Sequence, residues 1–303
     1  MTTSPYQVHR HSYSEYLPIR ELNYHVRHWG EADAPILFMA HGWMDVSASF
    51  QFVVDHLQHD WHVIAPDWRG FGLSAKSHSD TYWFPDYLAD LDQILAHYSP
   101  DQPVHLLGHS MGANVVSMYA GVRPERVQKL INLEGFGLPQ THPKQAPGRM
   151  RAWLDQLREG QNLRAYSDLH QVAQRLQKNN WRLSQEKALF LANHWSASDS
   201  QGNWQILADP AHKLHGPLLF RVEEFLACWA KITAPTLWME AVDTNVWEWM
   251  GAKEQAQPEI EARLSRIPNL RKYLMQDAGH MLHHDQPVLL AQIIESFLLD
   301  NPN

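Results

Sequence analysis

The sequence predicts an α/β protein with a mostly parallel sheet covered by helices on both faces. Three observations carry that reading. Short apolar runs end at Gly, Pro or an acid; amphipathic helical patterns lie between them; and one long central stretch breaks the alternation.

Residues 21–29 (ELNYHVRHW) alternate partially and read as the first strand. PILFMA (35–40), WHVIA (61–65), PVHLL (103–107) and KLINL (129–133) are apolar runs too short for helices and bounded by breakers, as buried strands are. PTLWME (235–240) and RKYLM (271–275) complete the set. Residues 86–98 put Leu88, Leu91, Ile94 and Leu95 on one helical face, residues 112–121 follow a glycine turn, and 287–299 form a closing helix. From 138 to 231 only helical patterns are legible, at 150–158, 163–177, 184–195 and 218–231, punctuated by prolines. This stretch is expected to be a helical cap, with 1–137 and 232–303 forming the core.

Composition narrows the function. The chain has 303 residues, 44% hydrophobic and 19% charged, enough for a full core without staples. A net charge of −8 with dispersed Lys and Arg argues against nucleic acid as a partner. The first sixteen residues lack the apolar region of a secretory signal, and no run is long enough to span a bilayer. With Cys228 as the single cysteine, an internal disulfide is impossible and thiolate metal clusters are excluded. A cytoplasmic protein is expected. The sequence assigns no oligomeric state.

Gly108-His109-Ser110-Met111-Gly112 fits G-x-S-x-G between a strand and a helix. A nucleophile needs a sharp turn there, and flanking glycines let strand and helix approach closely. Ser110 is therefore the expected nucleophile. The Met111 amide, at the helix start, and the Trp43 amide, after His41-Gly42, are the two expected oxyanion donors. Ser110 needs a base, and His280 follows Gly279 at the end of the last strand. Position singles it out from twenty histidines, including His283 and His284 nearby.

His41-Gly42-Trp43, the run Asp67 to Ser74, Gly108 to Gly112 and Ala278-Gly279-His280-Met281 together resemble the α/β-hydrolase superfamily over about 20–136 and 232–300. The resemblance implies an eight-stranded, mostly parallel sheet, a variable cap, and a triad in the order Ser, acid, His. It also implies that Asp67 and Arg69 belong to a structural turn. Two placements of the acid are open. The commoner family position, G-x-x-D after the strand that follows the cap, reads Ala241-Val-Asp243-Thr244 here, so Thr244 stands at the acid position and Asp243 one residue short. The other places the acid after the strand before the cap, where Glu134 resembles the haloalkane-dehalogenase and luciferase-like pattern. Glu134 is favoured, with Asp243 the alternative.

The expected activity is hydrolysis of a small-molecule carboxylic ester with an apolar acyl or aromatic part, through an acyl-enzyme. Lactone, thioester or carbon–carbon bond hydrolysis would use the same residues, and a non-catalytic receptor is the reading from a different class. Dehalogenase and epoxide hydrolase relatives carry an Asp nucleophile, against which Ser110 argues. No cofactor is expected. No metal is expected either, although His280-x-x-His283-His284-Asp285 holds ligand-type residues.

Overall fold

The apolar runs pair side by side in one eight-stranded sheet. The computed structural model describes residues 5–77 and 79–300; residues 1–4 and 301–303, the outer ends of the expected core, lie outside the described residues. The strands are β1 (Ser12–Ile19), β2 (Leu22–Trp29), β3 (Ile36–Ala40), β4 (His62–Pro66), β5 (Val104–His109), β6 (Val127–Leu133), β10 (Thr236–Ala241) and β11 (Leu270–Met275). Their order is β1-β2-β4-β3-β5-β6-β10-β11. Every pair from β4 to β11 across the sheet is parallel, while β2 runs antiparallel to both its neighbours.

Strand β1 was not expected. It is an edge strand with Tyr13 and Tyr16 exposed and only Leu17 and Ile19 buried, too weak a pattern to read locally. Arg20 and Glu21 close the β1–β2 hairpin with φ of 46° and 66°, the left-handed geometry that matches the twist of paired strands.

Adjacent residues of the central strands face opposite layers. Leu106 and Leu130 pack with Leu91 and Ile94 of α2 (Phe84–Tyr98), Val116 of α3 (Met111–Val122) and Leu264 of α8 (Lys253–Leu264). Leu107 and Ile131 pack with Val53 of α1 (Gln51–Val54) and Ile294 of α9 (Pro287–Leu299). Both sheet faces are covered, as continuous apolar strands require.

Between β6 and β10 lie helices α4 (Ala146–Glu159), α5 (Leu169–Asn179), α6 (Gln185–Trp195) and α7 (Val222–Trp229). The expectation of helices alone is corrected. Strands β7 (Ala165–Tyr166), β8 (Ser196–Ser198) and β9 (Trp204–Ile206) form a small sheet in the order β7-β9-β8. Two or three residues per strand are too few for alternation to register. The α5 helix also starts at 169 rather than 163, because the Asp168 carboxylate caps it by accepting from the Gln171 amide at 2.9 Å. Val172, Leu191 and Trp195 pack this segment onto Val46 and Phe52, and the Trp195 indole donates to the Met44 carbonyl at 2.7 Å. Among the described residues, no helix is long and apolar enough to cross a membrane.

Candidate active site

Ser110 stands on the turn from β5 into α3 with φ 53° and ψ −115°. No L-residue prefers that backbone, and the surroundings hold it there. Its amide donates to the Leu133 carbonyl at 2.8 Å. The flanking glycines allow the approach of neighbouring backbone: a Cβ on Gly108 would lie 2.5 Å from the Ala113 nitrogen, and one on Gly112 would lie 2.2 Å from the Ala40 oxygen. Met111 opens α3, and Trp43 follows β3 on the adjacent strand end. Neither amide donates to a protein acceptor among the described residues.

Glu134 follows β6 directly, also at positive φ (58°), with its amide donating to the Met239 carbonyl at 3.0 Å. It is buried, 2% exposed. Its Oε1 accepts from the Ala241 amide at 2.8 Å, and its Oε2 accepts from the Thr244 hydroxyl at 2.8 Å and from His280 Nδ1 at 2.7 Å. A carboxylate only accepts, so Nδ1 carries the hydrogen and the lone pair on Nε2 faces Ser110 Oγ at 3.1 Å.

The loop that carries His280 is held from three sides. The Gly279 amide donates to Asp285 at 2.9 Å; His109 Nε2 donates to the His280 carbonyl at 2.8 Å; the Trp249 ring meets the imidazole edge-on at 5.5 Å. Burial, with His283 and His280 beside it, keeps His109 neutral far below the ordinary histidine range, as its role of a neutral donor requires.

The structure thus brings Ser110, His280 and Glu134 together. It does not bring Asp243 to the imidazole. That carboxylate turns outward and pairs with Arg182 of the inserted segment at 2.6 Å. Asp67 accepts from His25 at 2.8 Å and from the Ser47 and Leu73 amides, and Arg69 pairs with Asp90 at 2.5 Å, so both serve the turn after β4.

The ligand-type residues near His280 do not converge. Asp285 is spent on Gly279 and on Asn180 at 2.7 Å. The one metal-capable group among the described residues is another: Asp45, His109 and His283, with ligand atoms within 4.8 Å of one another. Burial opposes ionisation of Asp45, but the facing His283 and His284 hold it below the usual carboxylate range.

Two cavities meet at Ser110, sharing Trp43 and Trp249. The smaller, about 340 Å³, is walled by Tyr82, Phe84, Tyr87, Phe136 and Leu214. The larger, about 650 Å³, contains His280 and Trp195. Thr244, His109, Trp249 and the 82–87 aromatics were not identified as site residues from the sequence. Only Thr244 carried a local signal, by standing where the common pattern has its acid.

Residues 35–287 match the family model for the alpha/beta hydrolase fold. The zebrafish (Danio rerio) Serine hydrolase-like protein is 26% identical, over 89% of this chain and 83% of its own. Human Serine hydrolase-like protein 2 is also 26% identical, over 89% and 88%. Among solved structures, the thioesterase domain from the curacin biosynthetic pathway superposes with a TM-score of 0.83 at 24% identity, covering 94% of this chain and 99% of that one. E-2-(Acetamidomethylene)succinate hydrolase gives 0.75 at 19%, covering 96% and 100%. The sheet order, the strand–serine–helix turn and these matches agree: the chain belongs to the alpha/beta hydrolase fold family.

Proposed function

We propose that this chain is a serine hydrolase that cleaves carboxylic esters through an acyl-enzyme, with Ser110, His280 and Glu134 as its triad. The contacts of His280, 3.1 Å to Ser110 and 2.7 Å to Glu134, carry this reading. His280 Nε2 takes the Ser110 proton as Oγ attacks the carbonyl carbon. The tetrahedral oxyanion is received by the Trp43 and Met111 amides. Glu134, fixed by Ala241 and Thr244, stabilises the imidazolium. His280 then hands the proton to the leaving group, and water repeats the cycle on the acyl-enzyme.

The aromatic wall of the smaller cavity supports an apolar acyl group. The segment 138–231 acts in this reading as a cap, since Leu138 and Leu214 line that cavity and Trp195 lines the other. Thioester, lactone and carbon–carbon bond cleavage use the same residues; the tightly built relay argues against a mere receptor. The test is labelling with a fluorophosphonate together with hydrolysis of aryl esters. Labelling at Ser110 with turnover is expected; folded protein that neither labels nor turns over would refute the assignment.

A further inference from the structure

The two cavities at Ser110 differ in chemistry, and His280 says which takes which half of the substrate. In acyl transfer the base that deprotonates the nucleophile next protonates the leaving group, so that group must lie on the imidazole side. His280 lines the larger cavity and not the smaller. The acyl chain therefore belongs among Tyr82, Phe84 and Phe136, and the leaving group on the other side of Ser110.

That leaving-group side is cationic. Arg164, Arg175 and Lys213 line it, all three reaching in from the inserted segment and all three exposed. The Arg164 guanidinium lies over the Tyr166 ring at 5.3 Å, and Lys213 Nζ donates to the Asn162 carbonyl at 2.9 Å. None of the three is in an ion pair among the described residues. The single carboxylate in the lining, Asp45, faces His283 at 3.8 Å. Yet the chain as a whole carries −8. Three cations outside any ion pair, against one carboxylate in the same lining of an acidic protein, make a local field that favours anions.

We infer that the leaving group of the substrate carries an anion, a carboxylate or a phosphate, held by Arg164, Arg175 and Lys213. This rests on the triad reading above. It makes the substrate bipolar: an apolar acyl group joined through the scissile bond to an anionic alcohol or thiol.

Three butyrate esters test it, those of phenol, of 3-hydroxybenzoate and of 3-hydroxyphenyl phosphate. They share the acyl group and an aryl oxygen leaving atom. The anionic esters are expected to show the higher kcat/KM, by about tenfold at low salt, with the advantage shrinking as ionic strength rises. Each of Arg164→Gln, Arg175→Gln and Lys213→Gln should lower the anionic-to-neutral ratio by about threefold, the scale of one exposed charge pair. Lys231→Gln, remote from the cavity, should leave it unchanged. Preference between the carboxylate and phosphate esters identifies the anion. Equal kcat/KM on all three, or an anionic preference that survives all three Gln variants, would overturn the inference while leaving the triad standing. No turnover of any ester overturns it as well, and fluorophosphonate labelling of Ser110 then shows whether the triad reading fails with it.

Discussion

Thr244 donates its hydroxyl to Glu134 Oε2 at 2.8 Å, on the same oxygen that receives His280 Nδ1. The residue standing at the common acid position thus holds the carboxylate proposed as the acid. Thr244→Val should lower kcat about tenfold, the scale of a hydrogen bond to a charged group, with KM unchanged because Thr244 lines neither cavity at Ser110. Thr244→Ser should restore the rate. A kcat equal to wild type in the Val variant would show that Glu134 needs no such support.

Glu134→Gln keeps the shape but presents an uncharged group to Nδ1–H. It should cut kcat by about 10² to 10⁴, judged from similar changes in triads. Asp243→Asn breaks only a half-exposed pair with Arg182, worth about 0–1 kcal/mol; its kcat should stay close to wild type. Steady-state kinetics on both variants, with melting temperatures beside them, check the ranking. The reverse order would make Asp243 the acid.

Ser110→Ala should remove about 10⁴ to 10⁶ of kcat while the protein stays folded. Circular dichroism and ester turnover on the same preparation are the measurement. Retained turnover would place the nucleophile elsewhere.

Leu214→Trp fills the smaller cavity from the inserted segment. Ester preference should move toward shorter acyl chains, with KM for long chains rising most. A chain-length profile like that of wild type would mean that the acyl group lies elsewhere.

Stability should fall on acidification in a defined window. His28, His105, His194 and His212 are each pushed down to about 4, burial being the largest cause. Unfolded imidazoles take protons near 6.5, so between about 6.5 and 4 the unfolded chain binds more protons than the folded one. The stabilisation is present above 6.5 and lost as pH falls toward 4. Urea midpoints at pH 7.5, 5.5 and 4.5 should decrease in that order. A flat profile would contradict the burial of these rings as neutral groups.

That Ser110 and His280 would meet was legible because each rests on a local pattern: a glycine-flanked turn after an apolar run, and a histidine after the last strand. The choice of carboxylate for the proposed triad was not decided by local pattern, since it depends on the register of β6 against β10, which sets Glu134 beside Met239 and Ala241. Asp243 stands only one residue from the common acid position, and only three-dimensional reach distinguishes it from Glu134. The cavity wall escaped notice for a related reason. Tyr82 just precedes α2 and Phe84 and Tyr87 lie in its first turns, where no periodicity marks a residue as pocket-facing. Most of Trp153, Trp181, Trp195, Trp204 and Phe220, all in the inserted segment, lie away from Ser110. Trp181 is 77% exposed under the Arg182 guanidinium, Trp153 donates to Thr81, Trp204 opens strand β9 of the small sheet, and Phe220 packs against Phe225; of these five, Trp195 alone reaches a cavity at Ser110.

Because Glu134 precedes the inserted segment, Ser110 and its carboxylate lie on one uninterrupted stretch of chain, welded by the Ser110–Leu133 and Glu134–Met239 backbone bonds. The histidine loop is different: Arg182, Asn180 and Lys187 of the insertion hold Asp243, Asp285 and the His284 carbonyl around it. A chimera that exchanges 138–231 for another insertion would therefore keep Ser110 and Glu134 in register and perturb His280. Modularity in this architecture is lopsided, and a transplanted insertion would have to bring its own struts for His280.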